Sequence, residues 1–293
     1  MLDPPIAVAP RLFVAHTPLR ILVPRRNFRL RAELPSPMTR QTGTYLDRIL
    51  ADTARDLAAR ADLPTAPPAT LPPARGFTRA LAAPGISLIA EVKKASPSRG
   101  VIRPDFHPAQ IAQAYTRAGA RALSVLTEPH YFQGSLAYLE MVRAVTPLPL
   151  LRKDFIIHPA QIIEAVGRAD AVLLIVAALA PAELRTFLAL ATACGLDALV
   201  EVHDRAELEI ALEAGAPVIG INNRDLRSFT IDLEATYRLL ADIPEDRLVV
   251  SESGIHTPAQ VRALTAAGVD AILVGEAFMR QPDVEAAVRE LLG

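Results

Sequence analysis

The sequence is short of the features that mark several large functional classes. It holds one cysteine, Cys194, in 293 residues. A single thiol can form neither an intramolecular disulfide nor a multi-cysteine metal site, which fits a reducing compartment. Neither sign of charge is in excess: 31 Lys+Arg against 32 Asp+Glu leave a formal net charge of -1. A globally basic surface for nucleic acid is therefore missing. No apolar run approaches the roughly 20 residues that span a bilayer; the longest, residues 171–181, is the length of a core element. His107, His130, His158, His203 and His256 are scattered without HExxH-type spacing, so they give no metal site. His203 shares parity with Glu201 and is read as structural. There is no Ser/His/Asp hydrolase elbow, and no Gly-rich dinucleotide fingerprint follows the first apolar run.

What is present is core. Hydrophobic residues make up 51% of the chain and charged ones 22%, enough to bury a large interior. The first 37 residues stand apart, with seven prolines, six arginines and only Asp3 and Glu33 as acids. Proline at that density blocks helix interiors and sheet ladders. A transit peptide would be Ser-rich, and Ser36 is the only serine there. Residues 1–37 are therefore read as a poorly ordered extension or a mis-annotated start ahead of Met38. Leu46, Ile49, Leu50 and Leu57 then recur at helical spacing, and a second short helix is expected over Gly76–Ala82.

Beyond Gly85 the chain alternates. Eight short apolar runs end near Lys93, Leu126, Lys153, Val176, Val202, Asn222, Glu252 and Gly275, about 26 residues apart, the length of a parallel strand with its crossover helix. Helical stretches such as Pro108–Ala118, Pro159–Val166, Pro181–Cys194, Arg205–Ala214 and Pro258–Ala267 fill the gaps. Eight such units over about 250 residues predict an α/β fold, a (β/α)8 barrel with an N-terminal helical extension. Residues 38–293 are expected to form a single domain that includes the helices at 44–85. A doubly wound open sheet is the competing architecture.

In such a barrel the interior is branched and apolar, so charges on the inward face call for a reason. Strand residues two apart point the same way. Glu91 shares a face with Lys93, Leu151 with Lys153, Leu199 with Glu201, and Gly220 with Asn222 and Arg224, while Arg152 and Asp154 point outward. One assignment of the inward face thus gathers two lysines, two glutamates, an asparagine and an arginine at the C-terminal mouth. Salt-bridged rim residues would be the bland reading, but a packed barrel gains nothing from so many buried charges. The loops after strands seven and eight, Ser253-Gly254 and Gly275-Glu276, suit phosphate because glycine lets backbone N–H groups approach an anion. The loop Lys94-Ala95-Ser96-Pro97-Ser98-Arg99-Gly100 reads as an anion-holding flap.

The run Leu88-Ile89-Ala90-Glu91-Val92-Lys93-Lys94-Ala95-Ser96-Pro97-Ser98 resembles the signature segment of indole-3-glycerol phosphate synthases. The resemblance continues in order through Leu151-Arg152-Lys153-Asp154-Phe155, Leu199-Val200-Glu201-Val202, Gly220-Ile221-Asn222-Asn223-Arg224 and Ser251-Glu252-Ser253-Gly254-Ile255. It implies conversion of 1-(2-carboxyphenylamino)-1-deoxyribulose 5-phosphate to indole-3-glycerol phosphate, with release of CO2 and water and no cofactor or metal. It implies Lys153 as general acid for ring closure, Glu201 as its acid/base partner, Glu91 in the dehydration network and Lys93 near the substrate carboxylate. Asn222 and Arg224 would position substrate, with Phe132, Phe155 and Leu173 as the apolar wall. Ser96, Ser253, Gly254, Gly275 and the backbone of Glu276 would hold the phosphate. It further implies a cytoplasmic protein, with a small phosphorylated substrate and other tryptophan-pathway enzymes as partners and neither nucleic acid nor membrane. The chain ends soon after the eighth unit, so a monofunctional enzyme is expected. Rival readings are another phosphate-handling barrel, such as a sugar-phosphate isomerase, or a barrel that has lost catalysis and serves as a scaffold.

Overall fold

The computed structural model describes residues 45–71, 73–225 and 230–293; the extension read over residues 1–37 lies outside them. Helix α1 (Tyr45–Ala58) and the short α2 (Phe77–Leu81) precede the alternation. Eight parallel strands follow: β1 (Ser87–Val92), β2 (Ala122–Leu126), β3 (Leu150–Lys153), β4 (Ala171–Ile175), β5 (Asp197–Val202), β6 (Val218–Asn222), β7 (Leu248–Glu252) and β8 (Ala271–Val274). Each strand pairs with the next, and β8 closes on β1 into the barrel expected from the sequence.

The helices between strands start where local chemistry says they should. Those after β1, β3, β4 and β7, namely α3 (Pro108–Arg117), α5 (Pro159–Ala165), α6 (Pro181–Ala193) and α9 (Pro258–Ala267), each open on proline. There its fixed φ is already helical and its missing N–H would have had no partner. Helix α7 (Arg205–Glu213) is capped by Asp204, whose side chain accepts from Glu207 N. Helices α4 (Leu136–Arg143), α8 (Glu234–Leu240), α10 (Glu276–Met279) and α11 (Val284–Leu292) complete the outer layer.

Nearly every strand residue is buried, as a sheet covered on both faces requires. Alternation sorts them. Leu88, Val125, Leu174, Val200 and Ile272 face the helices, whereas Ile89, Leu151, Leu173, Leu199, Val250 and Leu273 fill the barrel. Each such apolar side chain contributes about 1.5–3 kcal/mol by leaving water. The inward series then turns polar at the C-terminal ends, at Glu91, Lys153, Glu201, Asn222 and Glu252. Strand register puts Glu201 beside Gly220 and Asn222 beside Glu252.

The two leading helices hold opposite ends of the barrel. Phe77 and Leu81 of α2 are fully buried, and Thr78 N donates to Oδ2 of Asp197, the first residue of β5, at 2.8 Å. Helix α1 lies at the other end, where Tyr131 Oη donates to Asp52 at 2.7 Å and His130 Nε2 meets Asp56 at 2.7 Å.

Small corrections apply to the sequence boundaries. Strands β1, β4 and β8 stop at Val92, Ile175 and Val274, one residue earlier than read. Helix α2 begins after Gly76, whose φ of +76° lies outside the helical region. The segment read as a flap contains a two-stranded hairpin, Ala95–Ser96 against Gly100–Val101. It is tied at its base by Ile102 N and Arg103 N, which donate to Lys94 O at 2.8 and 3.1 Å.

Candidate active site

Every residue expected to act in catalysis, substrate binding or phosphate binding lines one cavity of about 480 Å³ at the C-terminal mouth. On its floor are Glu91, Lys93, Lys153, Glu201 and Asn222; Ser96, Arg224, Ser253, Gly254, Gly275 and Glu276 lie towards one side, and Phe132, Phe155 and Leu173 towards the other. The rings of Phe132 and Phe155 are tilted against each other with centroids 6.1 Å apart. Leu46 and Ile49 of α1 add to the lining, so the N-terminal extension is part of the wall.

The floor is a cage of alternating charges. Lys153 Nζ lies 3.3 Å from Glu201 Oε2 and 3.4 Å from Glu252 Oε2. Lys93 Nζ pairs with Glu91 Oε1 at 2.5 Å. Asn222 Nδ2 donates to Glu201 Oε1 at 3.2 Å, and its own Oδ1 accepts from Arg224 N at 3.1 Å. The side chains of Glu91, Glu201 and Glu252 are at most 5% exposed. Buried ions of this kind are weak stabilisers at best, since desolvation offsets most of their attraction.

Burial and charge compete at each group. Burial works to strip the proton from Lys153, but Glu201, Glu252 and Glu91 overrule it and raise its pKa above that of an ordinary lysine. Burial likewise opposes ionisation of Glu201, yet Lys153, His203 and Asn222 hold its carboxyl far below the usual carboxylate range. Glu91 is lowered too, with Lys93 and Lys153 outweighing burial. Glu252 goes the other way: burial, reinforced by the neighbouring Glu201 and Glu91, pushes it up to about 8 despite Lys153. Near neutrality the cage thus holds the carboxylates of Glu91 and Glu201 and the ammonium group of Lys153, while Glu252 favours its protonated form.

Glu252 is the residue that sequence reading missed. It marks the end of the seventh apolar run in the sequence and carries no assigned role there, although its parity with Val250 points it inward. Two glycines make room for the cage. A Cβ on Gly220 would collide with Glu252 Oε1, and one on Gly275 with Glu91 Oε1. Gly275, expected from sequence only as a phosphate contact, is thus also the space into which Glu91 packs.

The opposite side of the cavity is cationic. Arg99 Nε and Arg224 Nη2 reach Glu276 at 3.3 and 3.6 Å, so the Glu276 side chain turns towards the arginines. Ser253 and Gly254 are consecutive left-handed residues, with φ of +67° and +81°. That conformation is costly for serine, by about 1–3 kcal/mol, and is typical of ligand-holding turns. Ser96 Oγ is buried without a protein partner. Outside the barrel, Arg152 is enclosed by Asp154 at 2.8 Å and Glu164 at 3.4 Å, in keeping with the outward direction that strand parity gives Arg152. Among the described residues no group of His, Cys, Asp and Glu is arranged to hold a metal ion.

A closed parallel barrel whose C-terminal mouth combines a buried acid/base cage with a cationic, glycine-lined flank defines a (β/α)8 enzyme for an anionic substrate. The sequence model of the family described as "Indole-3-glycerol phosphate synthase" matches residues 46–291. A protein of that name from Aromatoleum aromaticum is 54% identical over 214 residues, covering 73% of this chain and 82% of the relative. One from Acidithiobacillus ferrooxidans is 52% identical over 257 residues, covering 84% and 97%. The chain belongs to the indole-3-glycerol phosphate synthase family. Among solved structures, a thiamine phosphate pyrophosphorylase from Pyrococcus furiosus superposes with a TM-score of 0.53 at 19% identity, over 71% of this chain and 94% of that one. KGPDC from Streptococcus mutans gives 0.54 at 11% identity, over 71% and 95%. These two likenesses speak for the fold alone.

Proposed function

We propose that the charge cage at the barrel mouth closes and dehydrates an indole ring, with Lys153 donating the first proton and Glu201 acting as base. Family membership gives the overall activity: the chain makes indole-3-glycerol phosphate in tryptophan biosynthesis, as a carboxy-lyase. The substrate implied by the resemblance, 1-(2-carboxyphenylamino)-1-deoxyribulose 5-phosphate, has an anion at each end and a ketone between them.

The roles follow from what each step needs. When the carboxylated ring carbon attacks the ketone, negative charge builds on the ketone oxygen. Lys153 protonates that oxygen to give a hydroxyl. CO2 then leaves from the same ring carbon, and its bonding pair restores the aromatic system. Loss of the hydroxyl as water takes a second proton, which the Glu91–Lys93 pair supplies. Glu201 removes a proton from the neighbouring ring carbon as the hydroxyl leaves, and that C–H bonding pair becomes the double bond that makes the closed five-membered ring aromatic. Positioned acid and base groups of this kind contribute about 10²–10⁴-fold each.

Substrate binding divides between the flanks. Phe132, Phe155 and Leu173 take the aromatic ring, and Lys93 neutralises its carboxylate. Ser96, Ser253, Gly254, Gly275 and the Glu276 backbone take the phosphate, with Arg224 and Asn222 holding the chain between. The working unit is residues 38–293 as one domain. The reaction is placed in the cytoplasm, where the lone buried thiol of Cys194 is at home, and other tryptophan-pathway enzymes are the proposed partners.

The observation that carries this reading is the placement of Lys153 Nζ between Glu201 and Glu252, 3.3 and 3.4 Å away, at the mouth. A sugar-phosphate isomerase on the same scaffold needs no Glu–Lys pair at the end of β1. The test is to incubate the full chain with the substrate in a chelator and follow indole fluorescence and released CO2. One CO2 per indole product is expected; isomerised sugar phosphate without CO2 would favour the rival.

A further inference from the structure

The ring of His203, the residue after β5, stands between two carboxylates and outside the cavity lining. Its Nδ1 is 2.9 Å from Glu207 Oε2, and the same oxygen accepts from His203 N at 2.8 Å. Its Nε2 is buried, makes no hydrogen bond and lies 3.4 Å from Glu201 Oε1. Glu207 is itself fixed, since it sits in the first turn of α7 and its N–H donates to the capping Asp204. A neutral imidazole has one donor and one lone pair, so between two carboxylates it would aim the lone pair at an anion. Only the imidazolium satisfies both sides.

We propose that His203 is a positioning residue for the reaction: a Glu207-anchored imidazolium that fixes Glu201 Oε1 and keeps Glu201 ionised as the base. The inference rests on Glu201 having that role. Asn222 and His203 share Oε1, leaving Oε2 to Lys153. Without the imidazolium, one buried cation fewer would face a buried carboxylate.

The surroundings leave few other candidates for this influence. From β5 His203 is faced by Glu201 and from α7 by Glu207, with Asp204 turned to the cap. Arg205 is drawn away to Asp242 at 2.6 Å. The short turn Val176–Ala178 has no ionisable side chain, and Asn222 of β6 is neutral. In line with this, burial opposes the charge on His203, but Glu201 and Glu207 raise it to about 10.

The test is the pH profile of kcat/KM for the full chain, for His203→Gln and for Glu207→Gln, with KM measured separately. Removing a positive charge from beside a carboxylate raises the carboxylate's pKa. The acidic limb of His203→Gln should therefore move towards neutrality by about one pH unit or more. Relative to the unaltered chain, the loss of rate should deepen as pH falls and shrink as pH rises, with KM little changed. Glu207→Gln should shift the same limb the same way by less. A uniform loss at all pH values, or an unmoved limb in both variants, would overturn the proposal and leave His203 a packing residue. Loss of a cooperative melting transition in both would do the same; if only His203→Gln fails to fold, Glu207→Gln decides. No turnover by the unaltered chain would instead defeat the reading of the site itself.

Discussion

The carboxyl group of Glu252 on β7 fills the space in which a Cβ on Gly220 of β6 would stand. Both belong to the inward face, and Glu252 Oε2 is one of the two oxygens beside Lys153. A glycine inside a packed strand is therefore explained by a carboxyl group one strand away.

The expected result for Gly220→Ala follows. The methyl group displaces Glu252, and with it the charge balance around Lys153. A shift on the order of 1 Å in such a group can cost about 10²-fold in rate. kcat in the indole fluorescence assay should fall by that order while the melting temperature changes little. Unchanged kcat would mean that the placement of Glu252 is immaterial.

Glu252 also sets a pH dependence. Its folded pKa, about 8, is above the ordinary 4.5. The stability linked to its proton is thus fully present below 4.5 and is lost as pH rises through about 8. Over the same range its ionisation tightens the hold on the Lys153 proton. Melting temperature should decline between about pH 4.5 and 8 and kcat between about pH 7 and 9, and Glu252→Gln should abolish its share of each decline. Titration curves that coincide for the two proteins would contradict this.

Stability and chemistry should separate along the barrel axis. Phe77, fully buried beneath the barrel, is far from the cage. Phe77→Ala should cost about 3–5 kcal/mol in denaturant unfolding, with kcat per folded molecule preserved. A matching collapse of kcat in fully folded protein would show that the two ends are coupled.

Much of this architecture was legible in the sequence because barrel strands obey two simple periodicities. The repeat length gave eight units, and residue parity brought Glu91, Lys153, Glu201 and Asn222 to one face and sent Arg152 and Asp154 to the other. What escaped notice depends on distances between segments. Glu252 was hidden by the serines and glycine around it, which read as a turn. His203 looked structural because its partner Glu207 lies across a strand–helix junction whose geometry a linear pattern does not reveal. The hairpin at Ala95–Val101 has strands of two residues, too short for alternation to register. The contribution of α1 to the cavity arises from long-range contacts such as Tyr131 with Asp52.

The most direct test is a single-turnover comparison of the full chain with Lys153→Ala, enzyme in excess over 1-(2-carboxyphenylamino)-1-deoxyribulose 5-phosphate, with CO2 and indole fluorescence recorded together. If Lys153 protonates the ketone oxygen, the variant should bind substrate with similar affinity but release CO2 about 10²–10⁴-fold more slowly. CO2 release at the unaltered rate would remove Lys153 from ring closure and leave the cage of charges without its principal acid.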